Sequence, residues 1–421
     1  MFGDDGCEAV SAKRVRCPEH IAEILASLHG GADELHNGTR LPMTALGGDG
    51  TDKLFGGGGA DILGGNKGAD ELHGGDGPDV LRDDGTDTDS ANGSDKLFGD
   101  GGDDLLAAGE FSSSNTSGAG ADTLDGGTGM DTADYSKRTS VLKITEGDGQ
   151  ANDGQGAGIL AEHDNLVHAE IVVGGSNGDS ITGAAEANTL RGGPGADDLH
   201  GGGGTDTLLG EDGDDTLAGD ALADVLSGGR GVDTASYADR ITPVVASLDG
   251  AANDGAANEG DLVDDDIEVL ASGFAADQLA GGTRADGIRG NDGNDSLTGA
   301  GGDDVLDGNG DDDKLTGGSG DDTLRGGAGN DTFAARDLSK DRVECGPGAD
   351  TVVADPFDSV AADCESVARG TGALSLPKTL TVTPKRVVKI LVGCPAGAYR
   401  GCAGTTGAPP ESICASGKET T

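Results

Sequence analysis

Aspartates recur at every ninth residue over long stretches of this chain. In residues 47–81 they are Asp52, Asp61, Asp70 and Asp79. The series breaks, resumes at Asp95 and Asp104, breaks again, and resumes at Asp122 and Asp131. A second run has no slip: Asp179, Asn188, Asp197, Asp206, Asp215, Asp224 and Asp233. A third is Asp277, Asp286, Asp295, Asp304, Asp313, Asp322 and Asp331. Carboxylates at fixed spacing among glycine-rich turns supply hard oxygen donors, the set a hard divalent cation takes. Asn188 keeps one carbonyl oxygen, so a weaker site is expected there. Tight turns favour aspartate anyway, but they accept asparagine, glycine and serine as readily, and this position is nearly always Asp.

The residues around the aspartates show what must hold them. Two positions on comes an apolar side chain: Leu54, Leu63, Leu72 and Leu81 in the first run, Leu190, Leu199 and Leu208 in the second, Leu297, Leu306 and Leu315 in the third. The unit is G-G-x-G-x-D-x-U-x, with U apolar. Glycine at positions one, two and four permits positive φ and close backbone approach. The x-U-x triplet is a short strand with U facing inward. Two units make one coil, so units n and n+2 stack about 4.8 Å apart. Their aspartates then form a ladder whose charges repel unless a cation lies among them. A fixed period of this kind is the mark of a solenoid.

Composition points the same way. Of 421 residues, 81 are Gly, 77 are Asp or Glu, only 28 are Lys or Arg, and Trp is absent. With a net charge of -49, the chain is a poor partner for nucleic acid or an anionic membrane and a good one for cations. One apolar side chain per nine residues is too little burial to offset the ordering entropy, so metal binding is expected to be coupled to folding. No apolar run reaches the length of a membrane span. The first residues, MFGDDGCEAV, lack the basic segment and apolar core of a signal peptide, and an incomplete N-terminus is the favoured reading.

The nonapeptide resembles the RTX, or haemolysin-type, calcium-binding repeat. That resemblance implies an all-β fold: a parallel β-roll (a β-helix solenoid) with Ca²⁺ bound in glycine-rich turns. It implies chains that stay unfolded in a low-calcium cytosol and fold outside, where Ca²⁺ is millimolar. Mg²⁺ suits such turns less well, because it demands octahedral geometry and keeps its waters.

The expected organisation is an N-terminal cap and first coil at 1–46, an interrupted first array at 47–131, and an insertion coil at 132–173. A second array at 174–235, a second insertion coil at 236–271 and a third array at 272–334 follow. A cap at 335–369 and a truncated β module or disordered tail at 370–421 complete the chain. The insertions resemble each other: Tyr135 corresponds to Tyr237, and the ANDG segments 151–154 and 252–255 align. Both return to register, since Glu170 lies nine before Asp179 and Glu268 nine before Asp277. They read as wider coils that supply core. Near the start, PEHIAEILASL reads as a short helix or a capping strand. Near the end, Asp341, Asp350 and Asp358 continue the register loosely.

Cysteines fall in local groups: Cys7 and Cys17, Cys345 and Cys364, then Cys394, Cys402 and Cys414. Such pairs suggest disulfides and an oxidising compartment. No HExxH occurs, and the GxSxG at 174–178 lacks a strand-turn-helix setting, so no catalytic residues are assigned. The expected function is an extracellular calcium-binding structural protein, not an enzyme, with cell-surface or matrix components as its further partners. The alternative is the repeat portion of a larger secreted protease or lipase.

Overall fold

The computed structural model describes residues 22–82, 93–107, 121–155 and 164–370, and the backbone of 8–11 and 14–16. Those residues form strands and no helix. Strands x-U-x alternate between the two faces of a solenoid and pair in parallel with the strand one coil away. Leu190 faces Leu208 and Leu208 faces Leu226 on one side, while Leu199 faces Leu217 on the other. All five are buried to within 1%. Each nonapeptide therefore contributes one rung of core, as the alternation of strand side chains requires.

The regular coil is 18 residues, and the hydrogen bonds between aspartates span that separation. The breaks in the first array lengthen coils without dislodging the ladder. Asp70 bonds Asp95, 25 residues on, and Asp95 bonds Asp122, 27 residues on.

The two insertions do more than widen a coil. One sheet of six strands runs from Glu34–His36 to Asn165–Val167 and stops there. A twelve-strand sheet takes over that side, entered through Leu142–Thr145 and running to Ser359–Val360. The second insertion repeats the exchange on the opposite face. There, the parallel succession of strands ends at Asp261–Val263, and a new one starts at Val244–Ser247. In each insertion the ANDG segment returns antiparallel against the new strand. The buried Tyr135 and Tyr237 stand at matching points.

The helix expected near the start is not found. Ile24–Ser27 is a strand paired in parallel with Met43–Asp49, and the capping-strand alternative describes it. The Met43–Asp49 strand, buried through Met43 and Ala45, gives the segment a sheet edge to join, and this outweighs its weak helical pattern. At the other end Asp341, Asp350 and Asp358 are full members of the ladder, in coils of 19, 19 and 17 residues. A disulfide joins Cys345 to Cys364 across this end. The expected pairing of Cys7 with Cys17, and the module at 370–421, lie outside the described residues apart from Gly370.

Turn geometry refines the role of the glycines. Positions two and four take the left-handed conformation, as at Gly229 (φ 105°) and Gly231 (φ 146°). Position one does not. It must be glycine for space: a Cβ on Gly201 would lie 2.6 Å from Oδ2 of Asp206 and 2.5 Å from the carbonyl oxygen of Gly219. Leu222 occupies position four with φ 80° and an exposed side chain. A left-handed leucine costs about 1–2 kcal/mol, so Leu222→Gly is expected to stabilise the calcium-loaded protein by about 1 kcal/mol, read as a higher midpoint in denaturant.

Candidate metal centre

The sixth-position aspartates converge on two edges of the solenoid and are buried, most at 0–5% exposure. Each uses one oxygen to tie coils together. The N–H of Asp52 donates to Oδ1 of Asp70 at 2.7 Å, that of Asp197 to Asp215 at 2.8 Å, and that of Asp304 to Asp322 at 2.9 Å. The ladder is therefore bridged by peptide N–H groups and not by direct contact between carboxylates.

The second oxygen is the informative one. Among the described residues, Oδ2 of Asp52, Asp61, Asp70, Asp79, Asp104, Asp131, Asp197, Asp206, Asp215, Asp224 and Asp233 is buried without a hydrogen-bond partner. The same holds for Asp295, Asp304, Asp313, Asp322 and Asp331. Asp95 and Asp122 continue the same edge through their Oδ1 atoms. A buried anionic oxygen with no partner is costly. Beside it lies the carbonyl of the first glycine of the next stacked unit, as Gly65 lies beside Asp52 and Gly219 beside Asp206. Two oxygens thus flank a space that any Cβ would fill. This donor set, a carboxylate and peptide carbonyls in flexible turns, fits Ca²⁺. Among the described residues no three His, Cys, Asp or Glu side chains form a metal-holding group, so backbone oxygens would have to complete the shell of an ion held here.

Electrostatics record the strain. Burial, then the charges of adjacent rungs, pushes Asp70, Asp79, Asp197, Asp224, Asp295 and Asp313 up to about 7 from an ordinary 3.8, against the lowering effect of the donated N–H. Asp206 rises to about 6, chiefly by burial.

Within the three arrays three rungs differ, and all lie in the first two units after an insertion. Oδ2 of Asp179 accepts the N–H of Gly175 at 2.6 Å, and Oδ2 of Asp286 that of Gly282 at 2.6 Å. The single oxygen of Asn188 accepts from Ala184 at 2.8 Å, while its Nδ2 donates to the carbonyl of Ala169 at 3.2 Å. Asp277, in the first unit after the second insertion, keeps a buried Oδ2 without a hydrogen-bond partner. Position four in the three closed units is Asn177, Glu186 or Arg284, none left-handed. The turn closes differently and its own second peptide satisfies the side chain.

Further rungs were not assigned from the nonapeptide pattern. Asp164 and Asp261 accept from Asp122 and Asp224. Glu170, Glu268 and Glu365 accept from Asp131, Asp233 and Asp350, their longer side chains spanning coils where the register shifts. The nine-residue offset of Glu170 and Glu268 and the alignment of the insertions were the available signals. His73, at the ninth position of its unit, is stacked between Phe55 and Phe98 at 4.8 and 4.6 Å. Ser176 of the GxSxG donates its hydroxyl to the carbonyl of Arg138 at 3.2 Å.

A parallel roll with a free carboxylate oxygen at most of its glycine turns defines a class of repeat protein suited to being glued by cations. A family model, the RTX calcium-binding nonapeptide repeat, matches residues 46–81, 90–112, 116–134, 173–208, 209–235, 272–306 and 307–336. The chain belongs to the RTX-type β-roll repeat proteins, and its repeats are calcium-binding repeats. No curated protein matches it. Among the described residues no helix is long and apolar enough to cross a membrane.

Proposed function

We propose that this chain is an extracellular, non-catalytic scaffold whose arrays fold as calcium fills the open turns. The observation that carries the reading is the run of buried Oδ2 atoms lacking hydrogen-bond partners, with a glycine carbonyl of the next coil beside those of Asp52, Asp61, Asp79, Asp206, Asp215 and Asp304. Bound Ca²⁺ supplies positive charge shared by successive turns. The protein's part is to hold those oxygens in place: Oδ1 is pinned by the N–H of the previous rung, and glycine at position one leaves the room. In this reading Asp179, Asn188 and Asp286 hold their turns through hydrogen bonds and take no ion. The millimolar calcium found outside cells matches the affinity range of extracellular modules, and the Cys345–Cys364 disulfide suits an oxidising compartment. Cell-surface or matrix components are the partners expected for such a scaffold. A role as the repeat portion of a larger secreted enzyme stays the competing reading, and the complete gene sequence distinguishes the two.

Calorimetric titration of point variants tests the assignment. Asp206→Ala removes a buried rung and is expected to lose at least one Ca²⁺. Asp212→Ala removes an exposed carboxylate that pairs with Arg230 at 3.3 Å and should leave the stoichiometry unchanged. Equal losses would refute the register.

A further inference from the structure

The two insertions correspond residue for residue through their hydrogen bonds. The N–H groups of Leu142 and Val244 donate to Oδ1 of Asp179 and Asp277, both at 2.8 Å. Four residues on, the N–H groups of Glu146 and Leu248 donate to the carbonyls of Thr182 and Ala280 at 2.9 and 3.0 Å. Glu170 and Glu268 hold the same rung, and Thr189 and Gly287 bond their carbonyls at 2.7 and 2.8 Å. By this superposition Glu146 stands where the second copy has Leu248, and Glu186 stands where it has Arg284.

Those two exchanges change the local charge balance completely. In the second copy Leu248 is core, and Nη1 of Arg284 lies 4.0 Å from Oε1 of Glu268. In the first copy the same places present Glu146, Glu170 and Glu186. Glu146 is only 6% exposed, and its Oε2 is buried with no hydrogen-bond partner. Its Oε1 accepts a long bond, 3.4 Å, from the N–H of Ala169, and the backbone N–H of His168 also lies against the carboxylate. Burial pushes Glu146 up, and the nearby charges of Glu186 and Glu170 add to it. Among the described residues no Lys or Arg pairs with these three. His168, the nearest base, is bonded through Nδ1 to Asp125 at 2.8 Å. A carboxylate in a leucine's place, facing other carboxylates where the sister copy has an arginine, requires a counter-charge from outside the chain.

We propose that Glu146 and Glu186 hold a calcium ion outside the aspartate ladders, in the first insertion only. Oε2 of Glu146 is the fixed donor. Glu186 is exposed on its turn, so Glu186 is the side chain that swings inward. Two carboxylates completed by water suit the flexible, oxygen-rich shell of Ca²⁺. Asn188 lies on the same turn as Glu186 and offers no free oxygen, which separates this site from the ladder.

The test is anomalous diffraction from crystals of the full chain grown with Tb³⁺. The wild type is expected to show a peak against Glu146. Glu146→Leu and Glu186→Arg, which copy the second insertion, should each lose that peak and keep the ladder peaks. The double variant Leu248→Glu/Arg284→Glu should gain a matching peak in the second insertion. Ladder peaks without one at Glu146, or a Glu146 peak that survives both single variants, would overturn the inference and leave the ladder reading intact. Loss of all peaks in the wild type would count against both.

Discussion

Removing calcium with excess chelator at neutral pH is expected to abolish most of the strand signal in far-ultraviolet circular dichroism. Adding Ca²⁺ should restore it, and Mg²⁺ should restore little. The reason lies in the thinness of the roll. Each unit buries one leucine or its equivalent, such as Leu208 or Leu315, against the ordering of nine residues. The same unit also encloses a carboxylate whose Oδ2 finds no donor. Without a cation the core gain stands against both costs, and unfolding releases the carboxylates to water. With a cation, folding and binding are one equilibrium, and stability rises with free calcium. Mg²⁺ holds its own waters and requires octahedral geometry, which one carboxylate and turn carbonyls do not provide. Full strand content in chelator would refute this coupling.

Acid should substitute for calcium. In chelator, lowering the pH from about 8 to about 5.5 is expected to increase strand content, and the gain should persist in high salt. Burial and neighbouring rungs raise Asp70, Asp79, Asp197, Asp224, Asp295 and Asp313 to about 7 in the folded chain, against 3.8 as their ordinary value. A raised native value means that the folded state binds more protons than the unfolded state between those two values. Stability therefore falls as pH rises through that window, and the full penalty is present above about 7. Protonation removes the same charge that calcium offsets. With calcium present the dependence reverses, because protons compete for the same oxygens and binding weakens below about pH 6. High salt screens the surface part of the -49 net charge and leaves the buried part. A metal-free chain that loses strand content on acidification in high salt would contradict the assignment of strained carboxylates.

Much of this was legible because the repeat is periodic at two levels. The step of nine places Asp206 on an edge and Leu208 in the core, and it pairs each unit with the next but one. The matching insertions were visible from Tyr135 and Tyr237 and the two ANDG segments. Their consequence was not visible, since nothing in a linear pattern says that one sheet stops at Asn165–Val167 while another starts at Leu142–Thr145. The three closed turns were also hidden. Asp179 and Asp286 have the right residue at the right spacing. Whether Oδ2 stays open depends on the conformation of the whole turn, and a non-glycine such as Asn177 or Arg284 at position four accompanies the closed form. Leu222 and Asp311 show that glycine is not compulsory there, as both are left-handed in open turns. The separate roles of glycine at position one and at positions two and four likewise needed coordinates, because composition records only that glycine is present.

A crystal structure of the chain grown in millimolar calcium tests the central claim most directly. Density for an ion is expected about 2.3–2.6 Å from Oδ2 of Asp206, Asp215 and Asp304, with none at Asp179 or Asp286. Coils stacked as described, with water or nothing at all beside those three oxygens, would contradict it.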